Sequence, residues 1–221
     1  MVLLCCAKLP ISLDAKQLAA MAKNRLGNGK NDQYLDDIER RRNSESVRES
    51  LGALVTLAVL LDKLGLSESE IRSLSLVRND NGKPYFENST ISFSISHSQE
   101  YVACAVSDES CIGIDIEASN LNCERARKIA SRFFGEDEIA DMTDNASGFR
   151  RVWTKKEAAT KLLGITLGEY LKSEKNDMGN VKSSLNFFEF EIDGYPVTLC
   201  TDKIPSTIKR IEIDLDEIGR K

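Results

Sequence analysis

The 221-residue sequence contains one histidine, His97, and no G-x-S-x-G turn. This leaves a serine hydrolase of the Ser–His kind without its strained nucleophile turn, and without a second imidazole to serve as base. Six cysteines (Cys5, Cys6, Cys104, Cys111, Cys123 and Cys200) show no C-x-x-C and no framework spacing. That pattern excludes a clustered zinc site and a disulfide scaffold, and the cysteines in apolar runs read as small hydrophobes. The longest apolar stretch, residues 51–61, is too short to span a bilayer. Residues 2–7 are only a strand-length apolar run ending at Lys8, so no cleavable signal is expected and the protein reads as cytoplasmic, with no membrane partner. Basic charge is also in short supply. A net charge of −5 argues against a dedicated nucleic-acid binder, although Arg40, Arg41, Arg42 and Arg48 cluster and leave a local anion site open. Low-complexity segments, clear repeats and a Pro/Ser-rich linker are absent as well.

What is present is the patterning of a folded α+β chain. Residues 2–7 read as a strand, and 14–26 and 33–42 as helices separated by Gly27-Asn28-Gly29. Ser46 with Glu49 matches a capping box ahead of an apolar helix that ends at Gly65, and Ser67 with Glu70 is a second capping pair. The 51–64 helix is apolar most of the way round, which predicts burial on several sides. The period then changes to two. Asn81-Gly82 is a two-residue hairpin signal, and Ile91, Phe93 and Ile95 alternate with serines in a half-buried strand ending at His97. Strands are expected at 101–106 and 111–117, helices at 123–134, 137–142 and 149–163, and strands at 187–192, 197–201 and 208–215. The polar segment 171–184 reads as a mobile loop. The pattern implies two successive α+β halves, 1–107 and 108–221, packed against each other with a ligand cleft between them.

Four short segments could carry chemistry. In Gly113-Ile114-Asp115-Ile116-Glu117, strand parity sends both carboxylates to one face and both isoleucines to the core. Two adjacent carboxylates repel unless a cation sits between them, and Mg²⁺ takes one or two carboxylates plus substrate phosphates. An ordinary solvated strand face is the alternative. In Trp153-Thr154-Lys155-Lys156-Glu157-Ala158-Ala159-Thr160-Lys161, Trp153, Glu157, Lys161 and Gly164 share one helical stripe, opposite Ala158, Ala159 and Leu162. A surface Glu→Lys pair would look the same. In Ile95-Ser96-His97-Ser98, Ser96 and His97 could donate to a phosphate, or the histidine could simply be a core or surface residue. Gly82-Lys83-Pro84 adds a lysine directly after a tight turn.

Taken in order, G-K-P, S-H-S, G-I-D-I-E and W-x-x-K-E-A-x-x-K resemble the Sfp-type 4′-phosphopantetheinyl transferases. The spacing agrees, with 18 residues from His97 to Asp115 and 40 from Glu117 to Glu157. The resemblance covers about residues 40–165. It implies two similar α+β halves related by a pseudo-two-fold axis, with coenzyme A in the cleft. The implied activity moves the phosphopantetheine arm of coenzyme A onto a serine of an apo acyl or peptidyl carrier protein, releasing adenosine 3′,5′-bisphosphate. On this resemblance Asp115, Glu117 and Glu157 hold Mg²⁺, and Glu157, Lys161 and His97 are the catalytic groups. Arg48, Lys83, Ser96, His97, Lys156 and Lys161 contact coenzyme A, with Lys156 and the 40–42 arginines the weaker candidates. A monomer is expected, because both halves lie in one chain. Two features depart from the pattern. Glu49 stands where a threonine or serine commonly follows the basic residue, and the chain ends soon after 208–215 without the small-residue strand often found last. The competing readings are a Mg²⁺-dependent nucleotide or phosphate hydrolase and a non-catalytic coenzyme A or carrier-binding module.

Overall fold

The computed structural model describes residues 1–142, 146–175 and 184–219. In chain order the elements are β1 (Val2–Lys8), α1 (Ala15–Leu26), α2 (Lys30–Glu39), α3 (Ser44–Leu64), α4 (Glu68–Ser73), β2 (Ser75–Arg78), β3 (Pro84–Glu87), β4 (Ser92–Ser98), β5 (Tyr101–Ser107) and β6 (Ile112–Ile116). There follow α5 (Cys123–Phe133), α6 (Glu136–Asp141), α7 (Ala146–Leu163), α8 (Leu167–Lys175), β7 (Asn186–Ile192), β8 (Tyr195–Thr201), β9 (Ile208–Arg210) and α9 (Leu215–Gly219). The fold is mixed α+β.

Strands β4-β5-β1-β9 form one sheet and β6-β8-β7 another, with β2-β3 a separate hairpin. Alternation along β1 divides the interior. Leu3, Cys5 and Ala7 face a core built with α1, α2 and α3, whereas Val2, Leu4 and Cys6 face a second core shared with β6 and β8. Burial on both faces explains why this strand is an unbroken apolar run. The 51–61 segment of α3 is buried throughout, as its all-round apolarity predicts.

A row of serines joins the two larger sheets. The hydroxyls of Ser92, Ser94, Ser96 and Ser98 on β4 accept the backbone N–H groups of Ile112, Ile114, Ile116 and Ala118 at 3.2, 3.0, 3.4 and 2.9 Å. Each bond spans 20 residues. The amides along this side of β6 are therefore satisfied by side chains, so the strand is not left with bare donors. Ser94 and Ser96 are buried; the polar face of the alternating strand meets protein.

Several boundaries differ from expectation. Helix α3 starts at Ser44 under an Asn43 cap, whose side chain accepts from the amides of Glu45 and Ser46. Ser46 and Glu49 are therefore not its capping box, because an asparagine three residues earlier already holds the first-turn donors. The second pair, Ser67 with Glu70, does form a capping box, and Gly65 ends α3 in the left-handed conformation, at φ 105°. The hairpin loop runs from Asn79 to Lys83, closed by Asn79 N–H to the Lys83 carbonyl and Gly82 N–H to the Asn79 carbonyl. It is longer than the two residues that Asn-Gly suggests, since β2 and β3 pair only from Arg78 and Pro84 outwards. The last expected strand is a three-residue strand followed by α9. Its parallel pairing with β1 stops at Arg210 opposite Leu4, so this segment returns to the first sheet before α9. Helix α8 occupies the start of the expected loop at 171–184, and residues 176–183 of that expectation lie outside the described residues. Among the described residues no helix is long and apolar enough to cross a membrane.

Candidate active site

Strand β6 sets the geometry. Ile112, Ile114 and Ile116 point into the second core, so Gly113, Asp115 and Glu117 turn the other way, as strand parity requires. Helix α7 lies directly on that face. A Cβ on Gly113 would stand 2.0 Å from the Ala158 carbonyl oxygen and 2.5 Å from the Leu162 nitrogen, so only glycine allows this approach. Thr154 of α7 meets Thr198 of β8 through a buried hydroxyl–hydroxyl bond of 2.9 Å, which fixes the helix against the next strand. Trp153, Glu157 and Lys161, each one turn from the next, then face a cavity of about 350 Å³ that Asp115 and Glu117 also line. Its opposite wall comes from α2, α3 and β4, with Arg41, Ser50, Ser96 and His97 among the lining residues.

Asp115 is only 6% exposed. Its Oδ1 accepts from Lys161 Nζ at 2.6 Å and from Ser96 Oγ at 2.7 Å. Burial raises its pKa above the usual value, Lys161 and Ser96 pull against that rise, and Glu117 adds to it. Glu117 Oε1 accepts from Ser98 Oγ at 3.1 Å and from the Ser119 amide at 2.7 Å. Glu157 is pushed up by burial and then by Asp115, with Lys161 opposing and Glu117 adding. Among the described residues no hydrogen bond reaches its carboxylate. Three mutually repelling carboxylates thus face the Lys161 ammonium.

This donor set fits a hard divalent cation. The side chains offer oxygen, carry more negative charge than one lysine offsets, and sit where burial makes that excess costly. Among the described residues, however, no three carboxylate, imidazole or thiol groups are gathered into a ready metal cage, and Lys161 is the cation in contact with Asp115.

His97 points to the other face of β4, towards α3. Its Nδ1 lies 2.9 Å from Glu49 Oε2, and its Nε2 lies 3.3 Å from Ser50 Oγ. Ser50 Oγ also accepts from Arg41 at 3.1 Å. Burial pushes Glu49 up to about 7, helped by Glu45 and opposed by Arg48. Burial also pulls His97 down to about 4, with Lys161 and Arg41 adding to the effect.

The other expected residues are placed differently. Lys83 Nζ donates to the Leu162 carbonyl at 3.2 Å, and burial lowers its pKa. It lines a second cavity of about 290 Å³, which shares Pro84, Ile95, Glu157 and Lys161 with the first. Arg48 is not among the residues that line either cavity. Its guanidinium donates to the carbonyls of Leu9, Pro10 and Leu13 at 3.2, 2.6 and 2.9 Å, tying down the loop after β1. Lys156 is buried on the opposite side of α7, paired with Glu138 at 2.8 Å and lying near the rings of Phe134 and Tyr170. Sequence reasoning missed Glu49 as a partner of His97, and Arg78, whose guanidinium lies 4.5 Å from the Tyr34 ring at the cavity wall. The available signal for Glu49 is a carboxylate beside the apolar run of α3, and its spacing from Ser46 gives it the look of a helix cap.

A profile of the 4′-phosphopantetheinyl transferase superfamily matches residues 111–210. The 4′-phosphopantetheinyl transferase gsp of Aneurinibacillus migulanus is 32% identical over 172 residues, covering 71% of this chain and 69% of the relative. The 4′-phosphopantetheinyl transferase AcpT of Salmonella typhi is 29% identical over 132 residues, covering 57% and 66%. The L-aminoadipate-semialdehyde dehydrogenase-phosphopantetheinyl transferase of Xenopus laevis is 28% identical over 182 residues, covering 75% and 54%.

Proposed function

The chain belongs to the 4′-phosphopantetheinyl transferase superfamily, and from that premise we propose that this transferase moves the phosphopantetheine arm of coenzyme A to a serine hydroxyl of an apo acyl or peptidyl carrier protein. The observation that carries the reading is the convergence of Asp115, Glu117, Glu157, Lys161, Ser96 and His97 on one cavity. These residues come from three segments far apart in sequence.

The carrier serine attacks the phosphorus that bears the arm, a new O–P bond forms, and the bond to adenosine 3′,5′-bisphosphate breaks. Glu157 takes the serine proton. It faces the cavity, and among the described residues no hydrogen-bond donor occupies its carboxylate, which leaves it open to take a proton. Lys161, its ammonium held by Asp115 and Ser96, presents a donor to the charge that builds on the leaving group. His97 and Arg41, on the opposite wall, hold coenzyme A by phosphate. Asp115, Glu117 and Glu157 would hold Mg²⁺, which when bound neutralises charge on the two phosphates. Holding the arm and the carrier serine together supplies much of the rate.

We take coenzyme A to lie in a cleft between two α+β halves, 1–107 and 108–221, related by a pseudo-two-fold. Two observations support this. A three-strand antiparallel run, β4-β5-β1 or β6-β8-β7, recurs in each half, and a long helix, α3 or α7, packs against it. Six free cysteines are in keeping with a reducing, cytoplasmic setting, and both halves in one chain with a monomer.

The test is intact-mass analysis of apo carriers incubated with coenzyme A and Mg²⁺. The expected result is a gain of one phosphopantetheine. Glu157→Gln is expected to lose transfer by at least about a hundredfold while still binding coenzyme A. Full transfer by that variant would reject Glu157 as the base, and no mass gain on any carrier with folded enzyme would reject the function.

A further inference from the structure

We infer that Glu49 is a positioning residue for His97, holding the imidazole by Nδ1 and supplying the negative charge that lets it become a cationic phosphate donor when coenzyme A enters. The inference rests on the proposed transferase reading, and it concerns a residue outside the cavity wall.

The geometry is specific. Glu49 is 8% exposed and lies behind the ring, with Oε2 2.9 Å from Nδ1. His97 itself lines the cavity, and its Nε2 is on the side of Ser50 and Arg41. A neutral imidazole has one N–H. If Nδ1 gives that proton to Glu49, Nε2 is left as an acceptor and has nothing to offer a phosphate. While Glu49 is ionised, donation through Nε2 needs the imidazolium, which the carboxylate on the far nitrogen stabilises; a protonated Glu49 donates to Nδ1 instead and leaves Nε2 the N–H.

Every charged group around the pair bears on this. Arg41 after α2 and Lys161 on α7 disfavour a positive charge on His97. Glu45 and Arg48, both on α3, act in opposite directions on Glu49. The pair together holds one proton below about pH 7 and loses it above, following Glu49. An arriving phosphate adds negative charge next to the ring and draws that shared proton to the imidazole. Binding of coenzyme A thus takes up a proton at alkaline pH, and affinity falls as pH rises through about 7.

The experiment measures coenzyme A binding by calorimetry, and KM and kcat for transfer, between pH 6 and pH 8.5 for wild type, E49Q and E49D. Glu49→Gln keeps the shape without the charge. It is expected to raise Kd and KM for coenzyme A about tenfold near pH 6.5, with the loss carried in KM, and to flatten the pH dependence of binding. Glu49→Asp keeps a carboxylate and is expected to retain the downward slope. An E49Q with wild-type affinity and slope overturns the inference while leaving the transferase reading intact. So does a weakened E49Q that keeps the full slope, since the proton would then sit elsewhere. Wild-type enzyme that binds no coenzyme A overturns both.

Discussion

Asp115 is the most enclosed of the three acidic groups, and Lys161 is what makes its burial tolerable. Removing one partner of such a pair leaves the other uncompensated. Lys161→Met is expected to cost about 3–5 kcal/mol in urea unfolding. Adding Asp115→Asn in the same chain should recover much of that loss, a coupling that a double-mutant cycle reads directly. The pH dependence has a definite sign. Asp115 and Glu157 have folded pKa values raised above their unfolded ones, so the folded state holds their protons longer. The stability tied to them is full at low pH and declines as pH climbs past the unfolded carboxylate range. The Lys161→Met deficit should accordingly be smaller at pH 5 than at pH 8. A deficit that grows on acidification would contradict the assignment of Lys161 as the balancing charge.

At the scale of elements, the seam between β4 and β6 is the feature most open to test. Ser94→Ala removes the hydroxyl that accepts the Ile114 amide at 3.0 Å in a buried setting. An unsatisfied buried donor costs about 1–3 kcal/mol, so the variant should unfold at lower urea with an unchanged m-value. A variant as stable as wild type would mean that this bond contributes nothing. The same elements show what was legible in the sequence. Strand parity at Gly113–Glu117 and the stripe of Trp153, Glu157 and Lys161 follow from local periodicity, and both faces lie where those periods put them. The capping pair at Ser67 and Glu70 is local in the same way. Sequence could not say what the alternating serines face, because an amide 20 residues away is no local partner. Nor could it place Glu49, whose role is set by a histidine on another element, or show that Arg48 binds the loop after β1. Position in space decided those three, and periodicity carries no information about it.

For the molecule as a whole, the cavity spans parts of the chain that meet only through packing. Walls from α2, α3 and β4 face walls from β6 and α7, so a ligand in it ties together segments from both parts of the chain. Saturating coenzyme A with Mg²⁺, at one hundred times Kd, should add about 2.7 kcal/mol to stability. Hydrogen exchange should slow in β4, β6 and α7 together. Protection confined to one side of the cavity would place the ligand elsewhere. The serine seam gives this joint an unusual property. A sheet joined by backbone pairs has no residue-by-residue handle, because every amino acid but proline supplies the same donor and acceptor. Here each link belongs to one hydroxyl, so stiffness between the two sheets is written in the sequence. The joint can be weakened one step at a time, at Ser92, Ser94, Ser96 and Ser98.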